Sequence, residues 1–246
     1  MAKQNIFDNE TFFEGYKKIR EREVNANTLF EIPALYSLLP DLKGKKILDL
    51  GCGFGEHCKD YIRMGAEKVL GIDISEKMLE VAKAENSDQQ ITYLHMPMED
   101  IGEIKEKFDV VVSSLAFHYI EDFSGVLKNI YEHLNEGGLF IYSQEHPINT
   151  CYTYGERWTM DENGEKLHVN LKNYCVEKET ECNWFIDGIK RYHRMFSTII
   201  NTLVETGFKI ERVLEPHPDD EILAKYPDYS DNLHKPDFLL VKASKG

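Results

Sequence analysis

Residues 45–58 read KKILDLGCGFGEHC, and this stretch decides the fold of the chain. The apolar run at 47–50 is followed at once by glycines at three alternate positions, Gly51, Gly53 and Gly55. A buried strand that ends in residues without side chains lets a ligand approach the main chain closely. The stretch therefore predicts a strand, a glycine turn and a helix, with a ligand lying against the turn.

Apolar runs and helical periodicities alternate along most of the chain. The predicted strands lie at 46–50, 68–73, 91–95, 108–113, 139–143, 208–214 and 238–241. The predicted helices lie at 56–64, 76–85, 123–134 and 197–205, after amphipathic helices within 1–44. Continuous apolar strands separated by helices are typical of a parallel sheet covered on both faces. Because crossovers are right-handed, the sequence predicts a doubly wound, mostly parallel α/β sheet of seven strands.

The composition disfavours several classes of protein. The chain has 246 residues and a formal net charge of -14, from 43 acidic and 29 basic residues, which disfavours nucleic acid as a partner. Five cysteines without a CxxC pair disfavour a zinc site and a disulfide framework. Neither a long apolar stretch nor a secretory signal is evident, so we expect a cytoplasmic protein without a membrane span.

A carboxylate follows the glycine turn at a distance that suits a nucleoside. Asp73 ends the second predicted strand, 22 residues after Gly51, where it can accept hydrogen bonds from a ribose diol. A dinucleotide fingerprint would need a third glycine at the position of Glu56. The pattern therefore favours a nucleoside-containing cofactor other than a nicotinamide dinucleotide.

Four motifs in order carry a family resemblance. ILDLGCGFG, VLGIDIS, FDVVVSSLAFHYIED and LNEGGLFIYSQEHP resemble the successive motifs of class I S-adenosylmethionine-dependent methyltransferases, and more narrowly their small-molecule, type 11 branch. The resemblance covers roughly 44–145 strongly and LVETGFKI near the C-terminus more weakly. It implies the Rossmann-like methyltransferase fold, S-adenosyl-L-methionine as the cofactor and a small-molecule methyl acceptor.

The resemblance also assigns residues to the cofactor. It implies that Asp49 orders the glycine loop and the cofactor's amino group, and that Asp73 holds the ribose hydroxyls. The main chain of Gly51, Cys52 and Gly53 would contact the methionine moiety. The other residues expected around the cofactor in this way are Ile74, Met78, Met98, Glu99 and Ser113.

Further candidates come from positions next to the predicted strand ends. His118 follows the fourth strand, and Glu145 and His146 follow the fifth, so we expect these three as catalytic or substrate-binding residues. Capping or packing roles for the histidines stay open. Tyr16 and Arg20 lie one helical turn apart, and we expect them to close over the cofactor's carboxylate.

We expect one domain, 1–246, with four parts. These are an N-terminal helical cover over 1–44, a cofactor-binding core over 45–143, a substrate-side insertion over 144–195 and a C-terminal helix and strands over 196–246. The insertion is rich in aromatic residues, which can form a lid over the acceptor pocket or a small satellite core.

Two other functions are compatible with these motifs. The first is a non-catalytic protein that only binds S-adenosylmethionine, because Pro97 stands where the family often has an adenine-binding aspartate. The second is an NAD-dependent oxidoreductase on a similar sheet, which Glu56 disfavours.

Overall fold

Eleven strands are present within residues 4–20, 24–152 and 155–246, which this computed structural model describes. The strands are β1 (Lys46–Leu50), β2 (Lys68–Asp73), β3 (Ile91–His95), β4 (Phe108–Ser113), β5 (Leu134–Glu145), β6 (Trp158–Met160), β7 (Lys166–Val169), β8 (Lys178–Cys182), β9 (Ile189–His193), β10 (Phe208–Leu214) and β11 (Phe238–Lys245). The predicted N-terminal cover and the insertion include residues 1–3, 21–23 and 153–154, which lie outside the described residues.

Eight α-helices accompany these strands in the described ranges. The helices are α1 (Glu10–Arg20), α2 (Ile32–Leu38), α3 (Glu56–Arg63), α4 (Glu76–Glu85), α5 (Phe123–His133), α6 (Pro147–Thr150), α7 (Phe196–Thr206) and α8 (Asp220–Lys225). A π-helical turn at Asn27–Glu31 leads into α2, and short 3-10 turns occupy Met98–Glu103, Phe117–Tyr119 and Pro227–Leu233. Ser75 caps α4, since its hydroxyl accepts a hydrogen bond from Met78 N–H.

Seven of the strands form the main sheet, in the order β10–β11–β5–β4–β1–β2–β3. β11 is antiparallel to both of its neighbours, and the strands from β5 to β3 are parallel. The predicted doubly wound, mostly parallel fold of seven strands is confirmed. The chain turns back between β1 and β4, so a crevice opens at the carboxyl ends of these two strands, where ligands bind in such sheets.

The apolar runs of the sequence are buried on both faces of this sheet. Along β1, Leu48 and Leu50 belong to the core beneath α5 and α7, whereas Ile47 belongs to the core beneath α2 and α3. Val111 and Val112 divide between the same two cores. This two-sided burial explains why these strands lack the apolar and polar alternation of a half-exposed strand.

The insertion contains two hairpins that the sequence analysis did not predict. β6 pairs with β7, and β8 pairs with β9, in each case antiparallel and apart from the main sheet. In β9, Ile189, Arg191 and His193 are buried, while Lys190 is exposed. β5 and β11 are also longer than the predicted 139–143 and 238–241, since they pair with each other along most of their length.

Candidate active site

A cavity of about 780 Å³ lies at the carboxyl ends of the parallel strands. The glycine loop after β1, the residues after β2 and β3, and the turn after β4 form its walls, and α1 closes one side. Eleven of the fourteen expected site residues line it. These are Tyr16, Gly51, Cys52, Gly53, Asp73, Ile74, Met78, Met98, Glu99, His118 and Glu145, of which Glu145 also lines a second cavity.

The glycine loop is folded back against β2. Gly51, Gly53 and Gly55 all have positive φ, at 72°, 53° and 75°. The N–H groups of Gly51 and Cys52 both donate to Ile72 O at 2.9 Å, and Gly53 N–H donates to Asp73 Oδ2 at 2.8 Å. These N–H groups are therefore engaged within the protein. The carbonyl oxygens of Cys52, Phe54 and Gly55 are engaged as well, whereas no hydrogen bond within the described residues occupies those of Gly51 and Gly53.

Asp73 is held in one orientation at the end of β2. Its Oδ2 accepts from Gly53 N–H, and its Oδ1 accepts from Ser75 N–H at 2.8 Å. Burial raises the pKa of this carboxyl above its usual value, although the two N–H groups act in the opposite direction. Each carboxylate oxygen keeps a second lone pair, so the group can accept two hydrogen bonds from a vicinal diol.

Beyond Asp73 the cavity wall becomes apolar. Ile74, Met78 and Met98 line this part, together with Met96. The carbonyl of Ile74 accepts from Asn5 Nδ2 at 3.0 Å, which attaches the N-terminal segment to this wall. A planar heterocycle next to a diol-binding carboxylate is the shape of an adenosine, so the residues present fit the nucleoside part of S-adenosylmethionine.

Asp49 and Ser113, which we expected near the cofactor, do not line the cavity. Both are buried: Cys58 Sγ donates to Asp49 Oδ2 at 3.2 Å, and Ser113 Oγ donates to Leu50 O at 2.7 Å. Burial raises the pKa of Asp49 to about 7. In this structure the two side chains support β1 and β4 from within the sheet.

His118 and Glu145 lie together beside the cavity. Glu145 N–H donates to His118 Nδ1 at 3.3 Å, so the ring proton lies on Nε2, which is 3.9 Å from Glu145 Oε1. The other carboxylate oxygen, Oε2, contacts the guanidinium of Arg191. Burial lowers the pKa of His118 to about 4, so the imidazole is neutral at pH 7 and offers a donor at Nε2.

His146 is turned away from this pair, although we expected it to face the acceptor. Its Nδ1 accepts from Ile148 N–H at 3.2 Å, and its Nε2 lies 2.9 Å from Glu215 Oε1. Pro147 begins α6 directly after it, so His146 becomes the N-cap of that helix. The structure therefore gives His146 a capping position, and this residue does not line the cavity.

The N-terminal helix contributes a cation that faces the glycine loop. Arg20 forms an ion pair with Glu56, the first residue of α3, and both line the cavity. Tyr16, one turn earlier, packs against Phe54 with ring centroids 5.9 Å apart. Tyr16 also contacts Trp184 of the insertion, with ring centroids 6.1 Å apart. α1 thus joins the glycine loop to the insertion.

Sequence reasoning missed the N-terminal segment and the buried Glu31. Gln4, Ile6 and Phe7 line the cavity, although nothing in their short, mixed sequence points to a ligand. Glu31 is fully buried beneath the cavity, where Ser114 Oγ donates to its Oε1 at 3.1 Å. Burial raises its pKa, in spite of hydrogen bonds from serine hydroxyls.

Three features of the described residues concern metal binding, thiol reactivity and the crossing of a membrane. No group of three or more His, Cys, Asp or Glu side chains there can hold a metal ion. The five cysteines are free thiols, and burial raises the pKa of Cys52 to about 11, which disfavours a thiolate nucleophile. Among the described helices, none combines the length and the apolar character that crossing a bilayer requires.

Comparisons with known proteins agree with this geometry. The family model of a methyltransferase domain matches residues 41–215. An uncharacterized protein of Haemophilus influenzae is 42% identical over 253 aligned residues, which cover 99% of this chain and 98% of the relative. A crystal structure of an S-adenosylmethionine-dependent methyltransferase from Mesorhizobium loti is 37% identical with a TM-score of 0.82, over 91% of this chain and 99% of that one.

A crystal structure from Listeria monocytogenes, assigned to the same class, is 40% identical with a TM-score of 0.81, over 88% of this chain and 96% of that one. The family match covers more than half of this chain. The chain therefore belongs to the S-adenosylmethionine-dependent methyltransferases of class I. The predicted enzyme class and its cofactor, S-adenosyl-L-methionine, are thereby confirmed.

Proposed function

We propose that this methyltransferase acts on a small molecule that lies between the carboxyl ends of β4 and β5 and the insertion. The observation that supports this proposal best is the position of the His118 and Glu145 pair. This pair lies on the same cavity as Asp73, the carboxylate that we expect to bind the ribose, so a methyl donor and an acceptor can meet there. The enclosed, largely apolar wall suits a small acceptor better than a polymer.

We assign the cofactor's parts to the residues that match them chemically. Asp73 would accept hydrogen bonds from the two ribose hydroxyls, and Ile74 and Met98 would enclose the adenine. The loop carbonyls near Gly51 would accept hydrogen bonds from the amino group, since the N–H groups there are already engaged. Arg20 would bind the carboxylate, because it is the cation of the N-terminal helix that lines this wall.

The chemistry needs alignment more than acid or base strength. S-adenosylmethionine supplies, when bound, a methyl group on a sulfonium, which the acceptor's nucleophile displaces while the electron pair of the broken C–S bond stays on sulfur. The protein holds the nucleophile in line with the methyl carbon and the sulfur. In favourable cases such alignment lowers the activation free energy by on the order of 7–11 kcal/mol. Glu145 would accept the proton that the nucleophile loses, and His118 Nε2–H would orient the acceptor.

The test of cofactor binding uses two aspartates that both accept a backbone N–H. Asp73→Asn should weaken the binding of S-adenosylhomocysteine by about tenfold or more, measured by isothermal titration calorimetry. The control is Asp109→Asn, since Asp109 accepts from Lys46 N–H at the opposite edge of the sheet. Equal affinities for the two variants would contradict the assignment of Asp73 to the ribose.

The test of catalysis measures S-adenosylhomocysteine formed with a panel of small acids, phenols and amines. Glu145→Gln should lower the turnover rate on an accepted compound by about a hundredfold, while affinity for S-adenosylhomocysteine stays unchanged. Cofactor binding without product on any acceptor would favour a protein that only binds S-adenosylmethionine. A variant as active as the wild type would remove Glu145 from the proposed proton transfer.

A further inference from the structure

A second cavity, of about 490 Å³, adjoins the first. Glu145 and Phe238 line both cavities, so the two volumes meet at the carboxylate that we assign to proton transfer. The remaining wall comes from the insertion and from the segment before β11, which the cofactor assignment does not use. A molecule bound near Glu145 can therefore extend into this second volume.

The charge of the second cavity is opposite to that of the whole protein. Its wall carries three cations, Arg157, Arg191 and Lys235, and two carboxylates, Glu145 and Asp237. The chain as a whole has a formal net charge of -14. A local excess of positive charge in so acidic a protein favours an anion over a cation or a neutral group at this place.

Two of the cations are paired with a carboxylate, and the third is not. Arg191 pairs with Glu145, and Lys235 pairs with Asp237. Within the described residues, Arg157 forms no salt bridge. Its guanidinium donates to the carbonyl of Ile148 at 3.2 Å and to the side-chain oxygen of Asn149 at 2.5 Å. Arg157 is thus the cation of this wall without an ion-pair partner among the described residues, although the carboxylate of Asp237 in the same wall attracts it at longer range.

Buried polar atoms in this wall also lack partners. Arg191 is only 7% exposed, and its Nε has no hydrogen-bond partner among the described residues. The guanidinium of Arg157 lies over the ring of Tyr152, 4.6 Å from its centroid, and the Tyr152 hydroxyl is buried without a partner among the described residues. Because a guanidinium N–H can only donate, the group missing beside Arg191 is a hydrogen-bond acceptor.

We infer that this second cavity is the anion pocket of the methyl acceptor. In it, Tyr152, Arg157 and Arg191 hold a carboxylate or a phosphate group of the substrate. Arg191 would then bridge two anions: its Nη1 already contacts Glu145, and its Nε–H, which has no partner among the described residues, would donate to the ligand. The inference rests on the proposed function, and it narrows the acceptor to molecules with an anionic oxygen group at one end and the methylated nucleophile near Glu145.

The test uses simple anions as probes on protein saturated with S-adenosylhomocysteine. Succinate, its neutral analogue succinamide and inorganic phosphate are titrated separately, and the dissociation constants are measured by NMR. Succinate or phosphate should bind about tenfold or more tightly than succinamide. Arg157→Gln should weaken that anion's binding by about tenfold or more, because it removes the unpaired cation.

Two further variants make the test specific. Lys178→Gln, an exposed position on β8, removes the same charge and should leave anion binding unchanged. Arg191→Lys keeps the charge but lacks Nε, and it should weaken anion binding as well. The affinity of each variant for S-adenosylhomocysteine reports whether its fold is intact, and Arg157→Gln should keep that affinity.

Binding of phosphate but not succinate would identify the acceptor as a phosphate ester, and the reverse would identify a carboxylic acid. The inference is overturned if neither anion binds better than succinamide, or if Arg157→Gln and Lys178→Gln bind the anion equally well. Failure of the wild type to bind S-adenosylhomocysteine would instead count against the cofactor assignment, so the two failures are distinguishable.

Discussion

Gly53 and Gly137 share a backbone conformation in two very different places. Their φ angles are 53° and 71°, and a Cβ added to either would meet no heavy atom within 4 Å. An alanine at either position therefore carries similar strain without a clash, about 1–2 kcal/mol for a left-handed residue. Only Gly53 lies on the cavity wall, so the pair separates backbone strain from ligand binding.

We predict that Gly53→Ala weakens the binding of S-adenosylhomocysteine by at least about tenfold. The added methyl group would occupy space beside the loop, and the strain would disturb the N–H that orients Asp73. Gly137→Ala should lower the free energy of unfolding by a similar 1–2 kcal/mol and leave binding unchanged. Calorimetry and urea titration measure the two quantities, and equal binding by both variants would contradict the prediction.

A position at the cavity was predictable for individual residues at or soon after the end of an apolar strand. Asp73 ends β2, Glu145 ends β5, and His118 lies in the turn after β4, and the parallel sheet brings such residues to one edge. The orientation of His146 was not predictable, because its Nε2 contacts the carboxylate of Glu215, which lies 69 residues later in the chain. Arg191 could not be assigned either, since its partner Glu145 lies 46 residues earlier in the chain.

At the scale of elements, the N-terminal segment joins parts that are far apart in sequence. Gln4 exchanges two hydrogen bonds with the backbone of Lys190 in β9, at 3.1 and 2.8 Å. Asp8 accepts from Ser75 Oγ at 2.6 Å and from Lys77 N–H at 3.2 Å, at the start of α4. The segment therefore fastens the insertion to the element that follows Asp73.

We predict that Asp8→Ala loosens this segment and weakens cofactor binding. The change removes the acceptor for Lys77 N–H in the first turn of α4, at a cost of about 1 kcal/mol, while the Ser75 cap is retained. Amide hydrogen exchange over residues 4–20 should become faster, and the dissociation of S-adenosylhomocysteine should speed up by several-fold.

The matched control is Asp219→Ala. Asp219 caps α8, where it accepts from Ile222 N–H at 2.8 Å, and it does not line the cavity. Its loss should cost a similar amount of stability and leave the exchange of residues 4–20 as in the wild type. Unchanged exchange in Asp8→Ala would show that the segment is held by its other contacts.

Elements of the main sheet were predictable because burial on both faces gives continuous apolar runs. The hairpins of the insertion were not predictable. Each of their strands pairs only with the other strand of the same hairpin, and one face of each hairpin is exposed. In β8 only Thr180 is buried, so the segment Lys178–Cys182 has the composition of a loop. Periodicity identifies a strand only when an apolar face is buried.

For the whole molecule, the buried aspartate Asp49 and the buried histidines His57 and His118 change the stability in opposite directions as the pH changes. Burial raises the pKa of Asp49 to about 7, well above that of an aspartate in an unfolded chain. Burial also lowers the pKa of His57 and His118 to about 4. The histidines therefore reduce stability as the pH falls below about 6.5, and Asp49 reduces it as the pH rises.

A comparison of variants isolates the contribution of Asp49. Between about pH 4 and pH 7 the folded protein keeps a proton on Asp49 that the unfolded chain has lost, so this contribution to stability falls as the pH rises. Asp49→Asn stays uncharged at every pH and can still accept from Cys58. Relative to the wild type, we predict that it gains stability on the order of 3 kcal/mol from pH 4 to pH 8.

Asp109→Asn is the matched control for this prediction. Burial alone would raise the pKa of Asp109, but hydrogen bonds from Lys46 N–H and Asn135 outweigh it and hold the pKa below its usual value. Asp109 therefore adds stability above the unfolded pKa of about 3.9, and its loss should give a constant deficit between pH 5 and pH 8. Urea unfolding at several pH values, without cofactor, measures both differences.

Parallel curves of unfolding free energy against pH for the wild type and Asp49→Asn would contradict the prediction. They would mean that Asp49 is ionised in the folded protein, and that solvent or a neighbouring dipole offsets its burial.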